Sequence, residues 1–314
     1  MHRYFSSTRE VAAMIDFFYQ QPPTADNLQK AIRALGENYP RLKIFPIGKS
    51  TLGREITALC IGNPTGAISF VGATHGLEWL TCTLLIKFCH NLLDALETGQ
   101  ALSEIDVNRA LRNRSLVIIP CLNPDGVEIA LRGSGAGGRF SEMIERTSCG
   151  VPEKVWQANA AGVDINHNFD AGWTLLKAME IADGFVCPGP TRYGGPHPHS
   201  EPETMAATTF CMTYQPKSLY CLHSQGEEIY WHYGNHTPKR SKMMAQILAS
   251  SSGYALSKPE GLASHGGFKD WFIDKFHRPG FTIEVGLGKN PLPLSDLDKI
   301  YTKIEEMLMI ATLL

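Results

Sequence analysis

The sequence has few charges and no long hydrophobic run. Charged residues make up 19% of its 314 positions, and the formal net charge is −2. That balance carries no electrostatic footprint for nucleic acid, and no dense basic run offers a membrane-surface patch. The most apolar stretch, residues 79–92, is interrupted by Lys87 and His90 and is too short to span a bilayer. The opening MHRYFSSTREVAAMIDFFYQ lacks the uninterrupted apolar stretch and small-residue cleavage pattern of a secretory signal. None of the eight cysteines forms a C-x-x-C pair, and most, such as Cys82, Cys89 and Cys121, lie in apolar surroundings. This usage points to buried thiols in a reducing compartment, not to a disulfide frame or a closed cysteine metal site. A cytoplasmic protein with neither nucleic acid nor membrane as partner is therefore expected.

What is there is enough apolar residue, 43%, to bury a sizeable core. Residues 1–40 are expected to form an N-terminal helical segment packed on a single domain over 41–314, with turn signals at Pro22-Pro23 and Pro40. The segment KIFPIGKSTLGREITALCIG predicts two short strands joined by a Thr-Leu-Gly turn. The runs AISFVGATHG, SLVIIPCLNPDG, SLYCLHSQG and FTIEVGLG each predict a buried strand ending in a turn, and a helix is predicted over about residues 77–96. Continuous apolar strands alternating with helices imply an α/β fold with a mostly parallel sheet covered on both faces. Ligands in such sheets gather beyond the carboxyl ends of the strands. Residues 131–163 begin glycine-rich (RGSGAGGRF) and show no clear period. They predict an ordered functional loop with a flexible rim, and without a following Gly-Lys-Ser/Thr they make no phosphate cradle.

The chemistry sits at the strand ends. His75 and Glu78, three residues apart at a helix start, can turn an imidazole and a carboxylate toward one metal ion. Alone, the pair is better read as a helix N-terminus with Glu78 favoured by the dipole and His75 bound to backbone. His223, following SLYCL, changes that balance. Two histidines and a glutamate leave one zinc position open for water, the pattern of a catalytic site. Glu284 interrupts the apolar strand FTIEVG, and a buried carboxylate needs a metal, a cation or a catalytic reason. It could pair with Arg278 or Lys269; beside activated water it would serve as general base. His197 and His199, in a proline-rich turn, are not needed as ligands. Ser200 to Glu203 predicts a helix start with Ser200 as N-cap and Glu203 closing a capping box. Trp173, Trp231 and Trp271 are expected in the core or pocket wall, and His232 and His236 at a rim.

These segments, GATHGLEW, CLNPDGVEIA, GVDINHNFDAGW, YGGPHPHSEPET, CLHSQGEEIYW and GFKDWFIDKFHRPGFTIEVGLGKNPLP, run in one order from residue 72 to 293. The chain resembles the zinc carboxypeptidase family, and within it the bacterial γ-D-glutamyl-diaminopimelate peptidases. The resemblance implies a central mixed eight-stranded sheet flanked by helices, one zinc ion on His75, Glu78 and His223, and Glu284 as base. It also exposes departures. Where the family holds the substrate's terminal carboxylate with Asn-Arg, this chain has Asn166 and His167. The carbonyl-polarising arginine falls on Gln157, the arginine inside the His-x-x-Glu motif is Leu77, and Leu262 lies nearest the family's mobile tyrosine.

An imidazole does not reproduce a bidentate guanidinium, so ordinary trimming of L-peptides is disfavoured. The residue before the Asp-Trp pair reaches the family's side-chain pocket, and Lys269 there favours a carboxylate. Arg192, Arg278 and Lys289 are further candidate carboxylate partners. The expected activity is hydrolysis of a γ-D-glutamyl–diaminopimelate bond in a small peptide or muropeptide. A carboxypeptidase for acidic C-terminal residues, a deacylase of N-acyl amino acids and a non-catalytic peptide binder are the alternatives.

Overall fold

The computed structural model describes residues 15–148 and 155–314. Among the described residues ten strands form, β1 (Leu42–Lys49), β2 (Glu55–Ile61), β3 (Ile68–Val71), β4 (Ala101–Leu102), β5 (Ile105–Asp106), β6 (Leu116–Ile119), β7 (Ser218–His223), β8 (Glu228–Tyr230), β9 (Ala255–Leu256) and β10 (Gly280–Glu284). Eight of them build one mixed sheet in the order β1-β2-β6-β3-β7-β10-β8-β9, and β4 and β5 form a separate ribbon. The central strands β6, β3, β7 and β10 run parallel, whereas β1, β2 and β8 are antiparallel to their inner neighbours.

The helices are α1 (Ala25–Asn38), α2 (Leu80–Thr98), α3 (Val107–Ala110), α4 (Pro124–Arg132), α5 (Ser141–Thr147), α6 (Trp173–Ala182), α7 (Pro202–Tyr214), α8 (Arg240–Ser252), α9 (Phe268–Phe276) and α10 (Leu297–Ala311). Successive strand residues point to opposite faces, so each apolar strand feeds two cores. In β7, Tyr220 and Leu222 join the cluster beneath α1, α2, α8 and α10, while Leu219 and Cys221 join that beneath α7 and α9. Of the N-terminal segment, residues 1–14 lie outside the described residues; Ile15 and Phe18 are buried in the first cluster. No described helix is long and apolar enough to cross a membrane.

Two expectations need correction. The glycine-rich stretch expected as a loop is helical: residues 134–140 form 3-10 turns kinked at Gly138 and α5 follows, packed on a third small core around Ile144 and Trp156. The remainder of that expected loop includes residues 149–154, which lie outside the described residues. Nor is there a capping box at 200–203. Glu201 is the N-cap of α7 and makes no side-chain cap bond. Glu203 instead turns inward, accepting from Thr51 N at 2.8 Å and from Asn159 Nδ2 at 3.1 Å. Tertiary partners outcompete the local cap because they are already fixed in the buried interior.

This burial has a pH consequence. Loss of solvent, reinforced by the Asp125 charge and only partly offset by its hydrogen bonds, pushes the Glu203 carboxyl up to about 7. A folded pKa above the unfolded one means that stability is fullest at low pH and declines as pH rises through about 7. Glu203→Gln is expected to flatten the melting temperature between pH 5 and 8, removing a dependence on the order of 3 kcal/mol. An unchanged pH profile in the variant would assign the dependence to another group.

Candidate metal centre and active site

The site forms where the parallel strands end. After β3 the chain turns at His75 into a single 3-10 turn, Gly76–Glu78, which leads into α2. That turn presses against α4: a Cβ on Gly76 would stand 2.3 Å from the Gly126 carbonyl oxygen, so only glycine fits. Asn123 ties these pieces together. Its Oδ1 caps α4 by accepting from Gly126 N, and its Nδ2 donates to the carbonyls of Thr74 and Ala158, each at 3.1 Å. The backbone before His75 and that after Gln157 are thereby held on one polar side chain.

His223 ends β7 and Glu284 ends β10, and the two are partners in parallel register. Their side chains therefore emerge side by side on one face. His75, Glu78 and His223 are all buried, and one ligand atom from each lies within 4.8 Å of the others. His75 Nδ1 is 3.0 Å from Glu78 Oε1, His223 Nδ1 is 2.9 Å from Glu78 Oε2, and the two Nδ1 atoms are 3.3 Å apart. Two ring nitrogens facing each other across one carboxylate match the nitrogen and oxygen donors zinc prefers, and leave a coordination position open. The residues fit the ion.

Asp164, which the sequence reading passed over, lies behind this group. Its Oδ1 is 3.2 Å from His75 Nε2, although the approach is too oblique for an aligned hydrogen bond. Asn166 N and Arg192 N donate to its two oxygens. A carboxylate behind a ligating histidine orients the ring and raises its basicity. The signal was present in GVDINHN, where the aspartate sits two residues from Asn166.

Without a cation, the electrostatics are those of a compensated cluster. Burial raises the Glu78 carboxyl, but His75 and His223 outweigh it and hold the group down at about 2. Burial lowers the His75 imidazole, yet Glu78 and Asp164 bring it well above its usual range. Glu284 goes the other way: burial and then the Glu78 charge push its carboxyl well up, against a smaller pull from His75. Among the described residues Glu284 forms no ion pair, so neither Arg278 nor Lys269 neutralises it. Arg278 is committed to the carbonyls of Gln215 and Pro216, both at 2.7 Å.

The cleft over this cluster has a volume of about 480 Å³ and takes in Gln157, Asn166, His167 and Lys269. Gln157 accepts at Oε1 from the Thr191 hydroxyl, and its Nε2 stands 3.5 Å from His75 Nδ1. Asn166 Oδ1 accepts from Phe268 N at 3.0 Å, which leaves its amide donors for the cleft. His167 Nδ1 faces two acceptors, Glu180 Oε1 at 3.0 Å and the Arg192 carbonyl at 3.2 Å, so this nitrogen carries a proton. Arg192 lines the mouth; Arg278 and Lys289 do not reach the cleft. Lys269 is present but not free, because Asp270 pairs with it. His197 and His199 stay outside the metal group, with His199 Nε2 accepting from Asp170 N.

A metal-ready group of two histidines and a glutamate, at the carboxyl edge of a mixed eight-stranded sheet, defines a zinc-peptidase architecture. Residues 28–307 match the zinc carboxypeptidase family Peptidase_M14, and the chain belongs to it. It is a metallopeptidase by family. Among curated relatives it is 34% identical over 271 residues to γ-D-glutamyl-L-diamino acid endopeptidase 1 of Lysinibacillus sphaericus, covering 86% of this chain and 67% of that one. It is 31% identical over 277 residues to the uncharacterized protein YqgT of Bacillus subtilis strain 168, covering 87% of this chain and 73% of that one. In fold it superposes on bovine thrombin-activatable fibrinolysis inhibitor with a TM-score of 0.71 at 19% identity, covering 94% of this chain and 97% of that one.

Proposed function

We propose that this metallopeptidase hydrolyses the amide bond between a γ-D-glutamyl residue and a diamino acid in peptidoglycan peptides. One observation carries the reading. A single cleft joins the His75–Glu78–His223 group to Glu284, and Gln157 stands beside His75 at the position of the family's carbonyl-polarising arginine; among the described residues the one arginine lining this cleft is Arg192. Without that guanidinium, the pattern is unlike an enzyme for ordinary peptide C-termini. The similarity to a γ-D-glutamyl-L-diamino acid endopeptidase supports the same choice.

Bound zinc supplies Lewis-acid polarisation of the scissile carbonyl and acidifies water. Glu284, raised in pKa and unpaired, takes the proton of the attacking water and returns it to the leaving amine. Gln157, oriented by Thr191, presents its amide N–H to the oxygen on which charge develops, a neutral donor in place of a guanidinium. Asn166 and the mouth residue Arg192 offer donors to substrate carboxylates.

The test is incubation of zinc-loaded protein with L-Ala-γ-D-Glu-meso-diaminopimelate, with products followed by mass spectrometry. Release of diaminopimelate is the expected result. An intact peptide with zinc confirmed bound overturns the reading; trimming of glutamate from ordinary L-peptides would establish an acidic carboxypeptidase instead.

A further inference from the structure

Lys269 and Asp270 open α9, and both are buried, at 4% and 2% exposure, although both line the cleft. Lys269 was expected to be a free cation seeking a carboxylate. It is instead neutralised by its own neighbour: Nζ donates to Asp270 Oδ1 and, at 3.1 Å, to the His232 carbonyl. An ammonium has three N–H donors, so one remains without a described protein acceptor. Asp270 is in the complementary position. Burial raises its carboxyl, and Lys269, His265 and the Gly267 backbone N–H oppose that without bringing it back. Its carboxylate also lines the cleft beside Lys269, where a substrate cation would favour its ionised form.

The cleft wall is thus a fixed pair with no net charge, with one Lys269 N–H unmatched and the Asp270 carboxylate within the same wall. A substrate side chain ending in a lone carboxylate would leave one negative charge uncompensated there, and one ending in a lone ammonium would leave one positive charge. Burying an unpaired charge is strongly unfavourable. A group carrying both an ammonium and a carboxylate adds no net charge and satisfies both partners.

Resting on the γ-D-glutamyl–diamino acid reading, we infer that Lys269 and Asp270 together select a diamino acid whose side chain ends in a zwitterionic amino-acid centre, as diaminopimelate does, over one ending in an amine alone. The substrate carboxylate takes the free Lys269 N–H, and the substrate ammonium sits against Asp270. The pair determines specificity; it has no part in bond cleavage.

The experiment compares kcat/KM of the zinc-loaded protein on L-Ala-γ-D-Glu-X, with X as meso-diaminopimelate, L-lysine or L-2-aminopimelate. The last has the same length and distal carboxylate but lacks the distal ammonium. Preference for diaminopimelate over both, on the order of 100-fold or more, is expected. Equal turnover of either singly charged peptide overturns the inference. Lys269→Met, which leaves Asp270 alone, is expected to shift preference toward the L-lysine peptide. If no γ-D-glutamyl peptide is cleaved, the proposed function fails, and calorimetric titration with the three free amino acids still decides the pair. Tighter binding of diaminopimelate sustains the inference, and equal binding ends it.

Discussion

Replacing Glu284 with glutamine is expected to reduce kcat by about 10³-fold or more, within or beyond the range typical for loss of a general base, while leaving bound zinc unchanged. Glutamine keeps the shape of the side chain but cannot accept a proton. Glu284 lies at the end of β10 beside His223, shares the cleft with the metal group and has no ion pair among the described residues. In the metal-free protein, burial and the Glu78 charge both oppose its ionised form. A neutral amide relieves that cost, so the metal-free variant should melt no lower than metal-free wild type. Loss of turnover with full metal content and undiminished stability separates a chemical role from a structural one. Turnover within tenfold of wild type would assign proton transfer elsewhere.

Removing the metal is expected to abolish activity reversibly without unfolding the chain. The ligands are compensated when empty, because His75 and His223 hold the Glu78 carboxyl down at about 2, and no core cluster depends on an ion. Chelator-treated protein should therefore remain folded by circular dichroism and recover activity on adding zinc. Zinc should raise its melting temperature, since a ligand bound only by the native state stabilises it. His223→Ala removes one donor from the group and should lose stoichiometric zinc, measured by elemental analysis. Asp164→Asn leaves the donors in place but withdraws the charge behind His75, and should weaken zinc affinity by about 10- to 100-fold. Wild-type affinity in that variant would show that the Arg192 and Asn166 backbone contacts alone orient the loop.

The sequence by itself determined the α/β class and the elements that bear the site. Apolar runs of strand length, each ending in a polar turn, are governed by burial, and burial is legible in composition and period. His75, Glu78, His223 and Glu284 stood out because each breaks such a run or its end with a group too costly to bury idle. What charged and polar side chains do to one another across the chain was not legible in that way. Glu203 left its local cap for Thr51 and Asn159, more than forty residues away. Arg278 was spent on two backbone carbonyls, Asp164 came to rest behind His75, and the glycine run after residue 133 formed 3-10 turns kinked at Gly138. Lys269, which sequence presents as a free cation, became half of a neutral pair. Periodicity reports which face a residue shows, because that follows from local backbone geometry. Which partner it meets on that face depends on how distant loops converge at the sheet edge, and only the tertiary structure decides that.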